Sequence, residues 1–201
     1  MKIKALMVTD PITISPNASI ETALGLMKQN RIRHLPVVAP DGRLEGLVTL
    51  ADLKEGLIPS LIGDVSLSDL MIRKPVTVSP EDDIETAARQ IYEHKIGGIP
   101  VVEGNTLVGI LTDSDILRTF IDMMGILSSG SRIEVRIGDA PEDFNRVLQI
   151  IQSKGGDIIN VSITTQGPDY RVYYFRLSPC DTRKIRKALQ AGGFIVPEAS
   201  E

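Results

Sequence analysis

The chain has 201 residues, a formal net charge of −4, no tryptophan, four tyrosines, four phenylalanines and one cysteine. That cysteine, Cys180, excludes an internal disulfide and any multi-cysteine metal site, and no apolar run approaches the roughly 18 residues of a membrane span. The acidic excess lies in the first 130 residues, with 17 Asp and Glu against 12 Lys and Arg, so neither part has the basic surplus of a nucleic-acid or anionic-membrane surface.

At the amino end, Met1 to Val8 runs into Thr9, Asp10 and Pro11 before an export segment can develop, and the expected location is cytoplasmic. The stretch Pro11-Ile12-Thr13-Ile14-Ser15-Pro16 then begins a unit that the chain repeats. It returns as Pro75-Val76-Thr77-Val78-Ser79-Pro80, and Met7, Ile20, Ala23 and Pro36 likewise return as Met71, Ile84, Ala87 and Pro100. Two copies of this size predict a pseudo-twofold pair with clefts at its seam.

Each copy opens with a short β-like stretch, Ile12 to Ser15 or Val76 to Ser79, closed by a proline. A helix follows, with Ile20, Ala23, Leu24 and Met27, or Ile84, Ala87, Ala88 and Ile91, on one face. A hairpin comes next: Leu35-Pro36-Val37-Val38 turns through Asp41-Gly42 to end at Thr49, and Ile99-Pro100-Val101-Val102 turns through Gly104-Asn105 to end at Thr112. A second helix carries Leu53 and Leu57 in one copy and Ile116, Leu117 and Phe120 in the other.

The most informative motif is Gly, two aliphatics, Thr, two variable residues and Asp, at Gly46 to Asp52 and Gly109 to Asp115. A strand-ending threonine followed three residues later by a carboxylate is a helix capping box. It is also a helix start whose amides and hydroxyl suit a phosphate, with an aspartate able to accept hydrogen bonds from a vicinal diol such as ribose. The two readings are compatible.

With Leu6-Met7, Leu70-Met71, the Ser-Pro entries, the aliphatic-Pro-Val-Val strands and both Gly-to-Asp motifs, residues 1 to 127 resemble the tandem CBS domain pair, or Bateman module. The resemblance implies CBS domains at 1–64 and 65–127 and adenosine-containing ligands, commonly AMP, ADP, ATP or S-adenosylmethionine, in the cleft between them. It also implies Asp52 and Asp115 at ribose, Thr49 and Thr112 at phosphate, and backbone contacts to adenine from Thr13-Ile14 and Thr77-Val78. The aliphatic strand starts Gly98, Ile99 and Pro100 would line the adenine.

Arg31-Ile32-Arg33-His34 aligns with Lys95-Ile96-Gly97-Gly98. The resemblance implies that Arg33 and His34 are phosphate candidates, in one copy only; Arg33 could equally be a solvated junction residue, and His34 could satisfy a local polar group. This asymmetry predicts one stronger and one weaker nucleotide site.

Ser128-Ser129-Gly130-Ser131 has linker composition. Beyond it, β-like stretches at Arg132 to Ile137, Ile158 to Thr164 and Tyr170 to Leu177, a helix with Phe144, Val147, Leu148 and Ile151, a helix with Ile185 and Leu189, and a last strand at Phe194-Ile195-Val196 give the ferredoxin-like order β-α-β-β-α-β. Residues 131–196 resemble an ACT domain, through that order, Asp139-Ala140-Pro141 and Gly155-Gly156-Asp157-Ile158. Glu142 stands where many amino-acid-binding members have glycine, which favours dimerisation over amino-acid binding, and the second sheet face is expected to need cover.

The expected fold class is thus α/β (α+β), a pseudo-twofold CBS pair followed by a ferredoxin-like ACT domain, an arrangement resembling the acetoin-utilisation proteins of the AcuB type. A regulatory homodimer sensing an adenine nucleotide (AMP, ADP or ATP) is expected, with no catalytic residues, cofactor or metal. The alternatives are a constitutive interaction scaffold and an amino-acid or S-adenosylmethionine sensor. Cys180 has no histidine near it in sequence, and the carboxylate pairs Asp82-Asp83 and Asp113-Asp115 suit helix starts, so no acid, base and electrophile set emerges.

Overall fold

A computed structural model describes residues 1–60, 65–127, 129–138, 140–165 and 170–197; for 57–60, 141 and 165 it describes the backbone alone. The expected roles of Ser128 and Asp139, the boundary at 64 and the side chain of Leu57 therefore lie outside the described residues. Two compact units are present, Met1–Arg118 and Thr119–Glu201, so the division falls inside a helix rather than at the serine-rich stretch.

In the first unit, β1 (Val8–Thr9) precedes α1 (Ile20–Asn30), β2 (His34–Val38), β3 (Leu44–Thr49), α2 (Leu50–Ser60) and α3 (Leu67–Leu70). The second copy supplies α4 (Ile84–His94), β4 (Gly98–Glu103), β5 (Thr106–Thr112) and α5 (Asp113–Met123). Helix α1 starts where Ser19 Oγ accepts from Thr22 N at 3.1 Å, which satisfies one orphan amide of the first turn. Both α1 and α4 end at a basic residue in the left-handed region, Arg31 at φ 56° and Lys95 at φ 53°. A side chain there costs about 1–2 kcal/mol. The cost is borne at equivalent places because the turn sends residues 33–34 and 97–98 to the seam between the copies. The expected stretches Ile12 to Ser15 and Val76 to Ser79 form single parallel bridges, Ile14 to Val37 and Val78 to Val101.

The copies do not fold side by side as consecutive blocks. Val8 and Thr9 pair with Ile110 and Gly109 of β5, while Ile72 bridges Leu47 of β3, so each copy's leading segment completes the other's sheet. Burial follows the same exchange. Ile3 packs in the core of Val78, Ile84, Ala87, Ile99, Val101, Leu111 and Ile116, and Leu67 and Met71 pack in the core of Ile14, Ile20, Ala23, Met27, Leu35, Val37, Val48 and Leu53. The glycines of the repeated motif permit it: a Cβ at Gly46 would lie 2.9 Å from Ile72 O, and one at Gly109 would lie 3.0 Å from Val8 O. On α5, Ile116 is buried while Leu117 and Phe120 are 60% and 41% exposed.

The second unit contains β6 (Ser131–Ile137), α6 (Pro141–Ser153), β7 (Ile158–Thr165), β8 (Arg171–Leu177) and α7 (Thr182–Ala191), and Ile195 bridges Arg136 beside β6. The sheet order β6-β8-β7 places the last two elements apart from their sequence order. Ile133, Val135, Ile137, Phe175 and Leu177 bury one sheet face against Val147 and Ile151 of α6 and Ile185 and Leu189 of α7. By strand alternation the opposite face carries Arg132, Glu134, Arg136, Tyr174 and Arg176. The Arg132 guanidinium sits 4.7 Å from the Tyr174 ring centroid. That face is mostly polar but includes the fully buried Val172, and Asn160 on it donates to Met123 O at 3.0 Å.

Candidate functional site

Two clefts of about 480 and 490 Å3 open at the seam of the first unit, within the span of small-molecule sites. They are pseudo-equivalent and assembled crosswise. One, the Thr49 cleft, joins Thr49, Leu50, Ala51 and Lys54 at the start of α2 to Ile72 and Lys95 to Gly98 of the other copy. Its counterpart, the Thr112 cleft, joins Ile110, Thr112, Ser114 and Asp115 to Val8, Asp10, Pro11, Ile12 and Arg31 to His34.

At each helix start the capping box is formed. Asp52 Oδ2 accepts from Thr49 N at 2.9 Å and from Thr49 Oγ1 at 2.8 Å, and Asp52 N donates to Thr49 Oγ1 at 3.3 Å. The second copy repeats this at 2.9, 2.6 and 3.3 Å between Thr112 and Asp115. The next amides, Leu50 N and Asp113 N, donate to Arg33 O and Gly97 O at 2.9 and 3.0 Å. The amides of Thr49, Leu50 and Asp52 at one helix start, and of Thr112, Asp113 and Asp115 at the other, are therefore already hydrogen-bonded. A ligand phosphate here would rely on the basic side chains around it. Each aspartate still suits a diol, because an ionised carboxylate offers about four lone-pair sites.

The two surroundings differ in charge. Arg33, Lys54 and Lys95 face Asp113 in the Thr49 cleft, whereas Arg31 and Arg33 face Asp10 and Asp115 in the Thr112 cleft. Arg33 and His34 line both. The Arg33 guanidinium lies 3.7 Å from Asp113 Oδ1, with both side chains about half exposed. His34 is half-buried against the backbone of Gly97 and Gly98, where added Cβ atoms would come within 3.0 and 2.9 Å of its ring. Burial, and then the neighbouring Arg33 charge, hold its pKa below the ordinary 6.5, with Asp113 and Asp52 opposing. This disfavours the charged form of His34.

Of the residues expected at the ligand, Thr49, Arg33, His34, Gly98, Thr112 and Asp115 line a cleft, while Asp52 stands behind Thr49 as its cap. Ile14 and Val78 have their backbone groups engaged and line neither cleft. Their amides donate to Pro36 O and Pro100 O and their carbonyls accept from Val38 N and Val102 N, so their backbone groups close their own copy's sheet. Thr13 and Thr77 flank them outside both linings, and Pro11 and Ile12 take the place facing the Thr112 cleft. Ile99 is fully buried in the core, and Pro100 is buried outside the lining, although its counterpart Pro36 lines the other cleft.

Lys54, Asp113 and Ser114 were missed as lining residues. Arg31 and Lys95 carried a signal, being basic at the same offset in both copies. Among the described residues no group of three or more His, Cys, Asp or Glu is arranged to hold a metal ion, and no helix is long and apolar enough to cross a membrane.

A profile of the CBS domain matches residues 3–58 and 67–122. The chain spans about a quarter of the length of the first curated relatives it matches: a homoserine O-acetyltransferase of Methanohalobium evestigatum is 33% identical over 117 residues, 58% of this chain and 23% of that protein. Among solved structures, the CBS domain pair of protein MJ0100, in complex with 5′-methylthioadenosine and S-adenosyl-L-methionine, is 30% identical at a TM-score of 0.56, covering 60% of this chain and 99% of that one. CBSX2 in complex with AMP is 27% identical at 0.54, covering 60% and 96%. A putative acetoin utilisation protein, AcuB, from Vibrio cholerae is 30% identical at 0.57, covering 65% and 98%.

Proposed function

The chain belongs to the CBS-domain family, and from that premise we propose that it is a regulatory protein that senses an adenine nucleotide, AMP, ADP or ATP, in the clefts of its CBS pair. The observation that carries this reading is the crosswise cleft itself: a capped aspartate from one copy and basic residues from the other stand around one cavity, as a ribose and its phosphate require. Asp115, which lines its cleft, would take ribose hydroxyls, Asp52 would do so on turning out from behind Thr49, and Arg33, with Arg31 or with Lys54 and Lys95, would take phosphate. Likeness to pairs that hold AMP, 5′-methylthioadenosine and S-adenosylmethionine supports an adenosine ligand. The basic linings favour a phosphate-bearing one over the sulfonium compound.

The second unit reads as a ferredoxin-like ACT domain, on its β-α-β-β-α order and the bridge at Ile195. Domain limits of 1–64, 65–127 and 131–196 describe the chain's sequence order, with the leading segments exchanged between the first two. A homodimer is supported by the exposed Phe120, Met123, Met124 and Leu127, and a link to acetoin or acetate metabolism by likeness to AcuB. The reading is regulatory rather than catalytic.

A thermal-shift screen with AMP, ADP, ATP, S-adenosylmethionine and amino acids tests the proposal, since a ligand of the folded state raises the melting temperature by mass action. Stabilisation by adenine nucleotides is expected. A shift with amino acids alone, or with none of these compounds, would favour the other sensor or a ligand-free scaffold.

A further inference from the structure

Arg33 and His34 have no counterparts with side chains: the equivalent positions are Gly97 and Gly98. The structure supplies a steric reason at His34. The two segments meet at the seam, and a Cβ at Gly97 would lie 3.0 Å from His34 Cε1, while one at Gly98 would lie 2.9 Å from His34 Cγ. Contacts that short require the His34 ring to shift, so side chains from both copies would crowd this crossing. The copy that carries them places Arg33 and His34 on the walls of both clefts.

Resting on the nucleotide reading above, we propose that Arg33 is a single phosphate-binding residue shared by the two clefts, so that phosphate-bearing nucleotides bind them with negative coupling. Among the described residues the guanidinium's ion pair is the exposed one to Asp113 at 3.7 Å, a contact weak enough to be exchanged for a phosphate on either side. Once a phosphate in one cleft has drawn Arg33 to itself, the other cleft is left with its private cations, Arg31 on one side and Lys54 and Lys95 on the other. A second phosphate then binds without its strongest fork-shaped partner. By linkage, the penalty is the same whichever cleft fills first.

Calorimetry with AMP on the full chain tests this, using Ala51→Trp to fill the Thr49 cleft and Ser114→Trp to fill the Thr112 cleft. Both positions are exposed, at equivalent places in the first turn of their helices, so the variants keep the cores intact. Arg33→Gly, which copies the chain's own Gly97, is then added to each, with thermal melts verifying folding. Sharing predicts that Arg33→Gly weakens AMP by about tenfold or more in both backgrounds. It also predicts that the second AMP binds the parent chain more weakly than either single-cleft variant binds its one. A loss confined to one background, or none in either, would overturn the proposal. Failure of AMP to bind the parent chain at all would overturn it together with the nucleotide reading, a result distinct from binding that ignores Arg33.

Discussion

Replacing Gly109 by alanine tests the segment exchange that builds the clefts. The new Cβ would lie 2.7 Å from Met7 Sδ and 3.0 Å from Val8 O. The thioether can swing aside, but the carbonyl belongs to the pairing of Val8 with Ile110 and Thr9 with Gly109, so β1 itself must move. Overpacking of this kind costs about 1–3 kcal/mol, and each ladder hydrogen bond lost adds about 0.5–1.5 kcal/mol. We expect Gly109→Ala to destabilise the first unit by about 2–3 kcal/mol. Gly25→Ala is a control of opposite sign: Gly25 lies within α1 with nothing within 4 Å of its would-be Cβ, so alanine should stabilise by about 0.5–1 kcal/mol. Urea unfolding followed by circular dichroism reads both, and the transition that Gly25→Ala raises identifies the first unit. If Gly109→Ala unfolds at or above the urea concentration of the parent chain, β1 is not locked on β5 and the crosswise clefts are wrongly built.

Asp115→Ala removes the cap on Thr112 and should cost about 1 kcal/mol in urea unfolding, while weakening nucleotide binding in calorimetry by more than the stability loss explains. Asp113→Asn releases Arg33 from its ion pair, and AMP should bind a few-fold more tightly with stability changed by less than about 0.5 kcal/mol. His34 contributes a pH dependence. Its folded pKa is depressed, so the unfolded chain binds the proton more readily; this contribution is fully present above about pH 6.5 and is lost as pH falls from there through the folded value. Urea midpoints measured through that window should fall more steeply in the parent chain than in His34→Gln.

The repeat made most of the first unit legible: α1 and α4 appear where Ile20 to Met27 and Ile84 to Ile91 keep helical spacing, and the hairpins end at Thr49 and Thr112. Periodicity reports which face of an element is apolar, however, and not which partner covers it. Met7 and Met71 were visible as a repeated pair, yet nothing local could say that each pairs with the opposite copy. Nor could the local pattern say that Pro11 and Ile12 would line the cleft while Ile14, two residues on, closes its own copy's sheet. The shared role of Arg33 was half legible. Its mismatch with Gly97 was plain, but that His34 packs on the two glycines became visible only at the three-dimensional crossing. In the second unit, the apolar face of the sheet was foreseen and the polar one was not, although Arg132, Glu134, Arg136, Tyr174 and Arg176 alternate in the sequence.

The central claim is that the seam between the CBS copies holds the nucleotide. Calorimetric titration of AMP into the parent chain and into Ala51→Trp/Ser114→Trp, which fills both clefts while leaving the cores untouched, tests it most directly. Binding to the parent and loss of detectable heat in a folded double variant is the predicted result. Parent-like affinity in the double variant would place the ligand elsewhere and contradict the account.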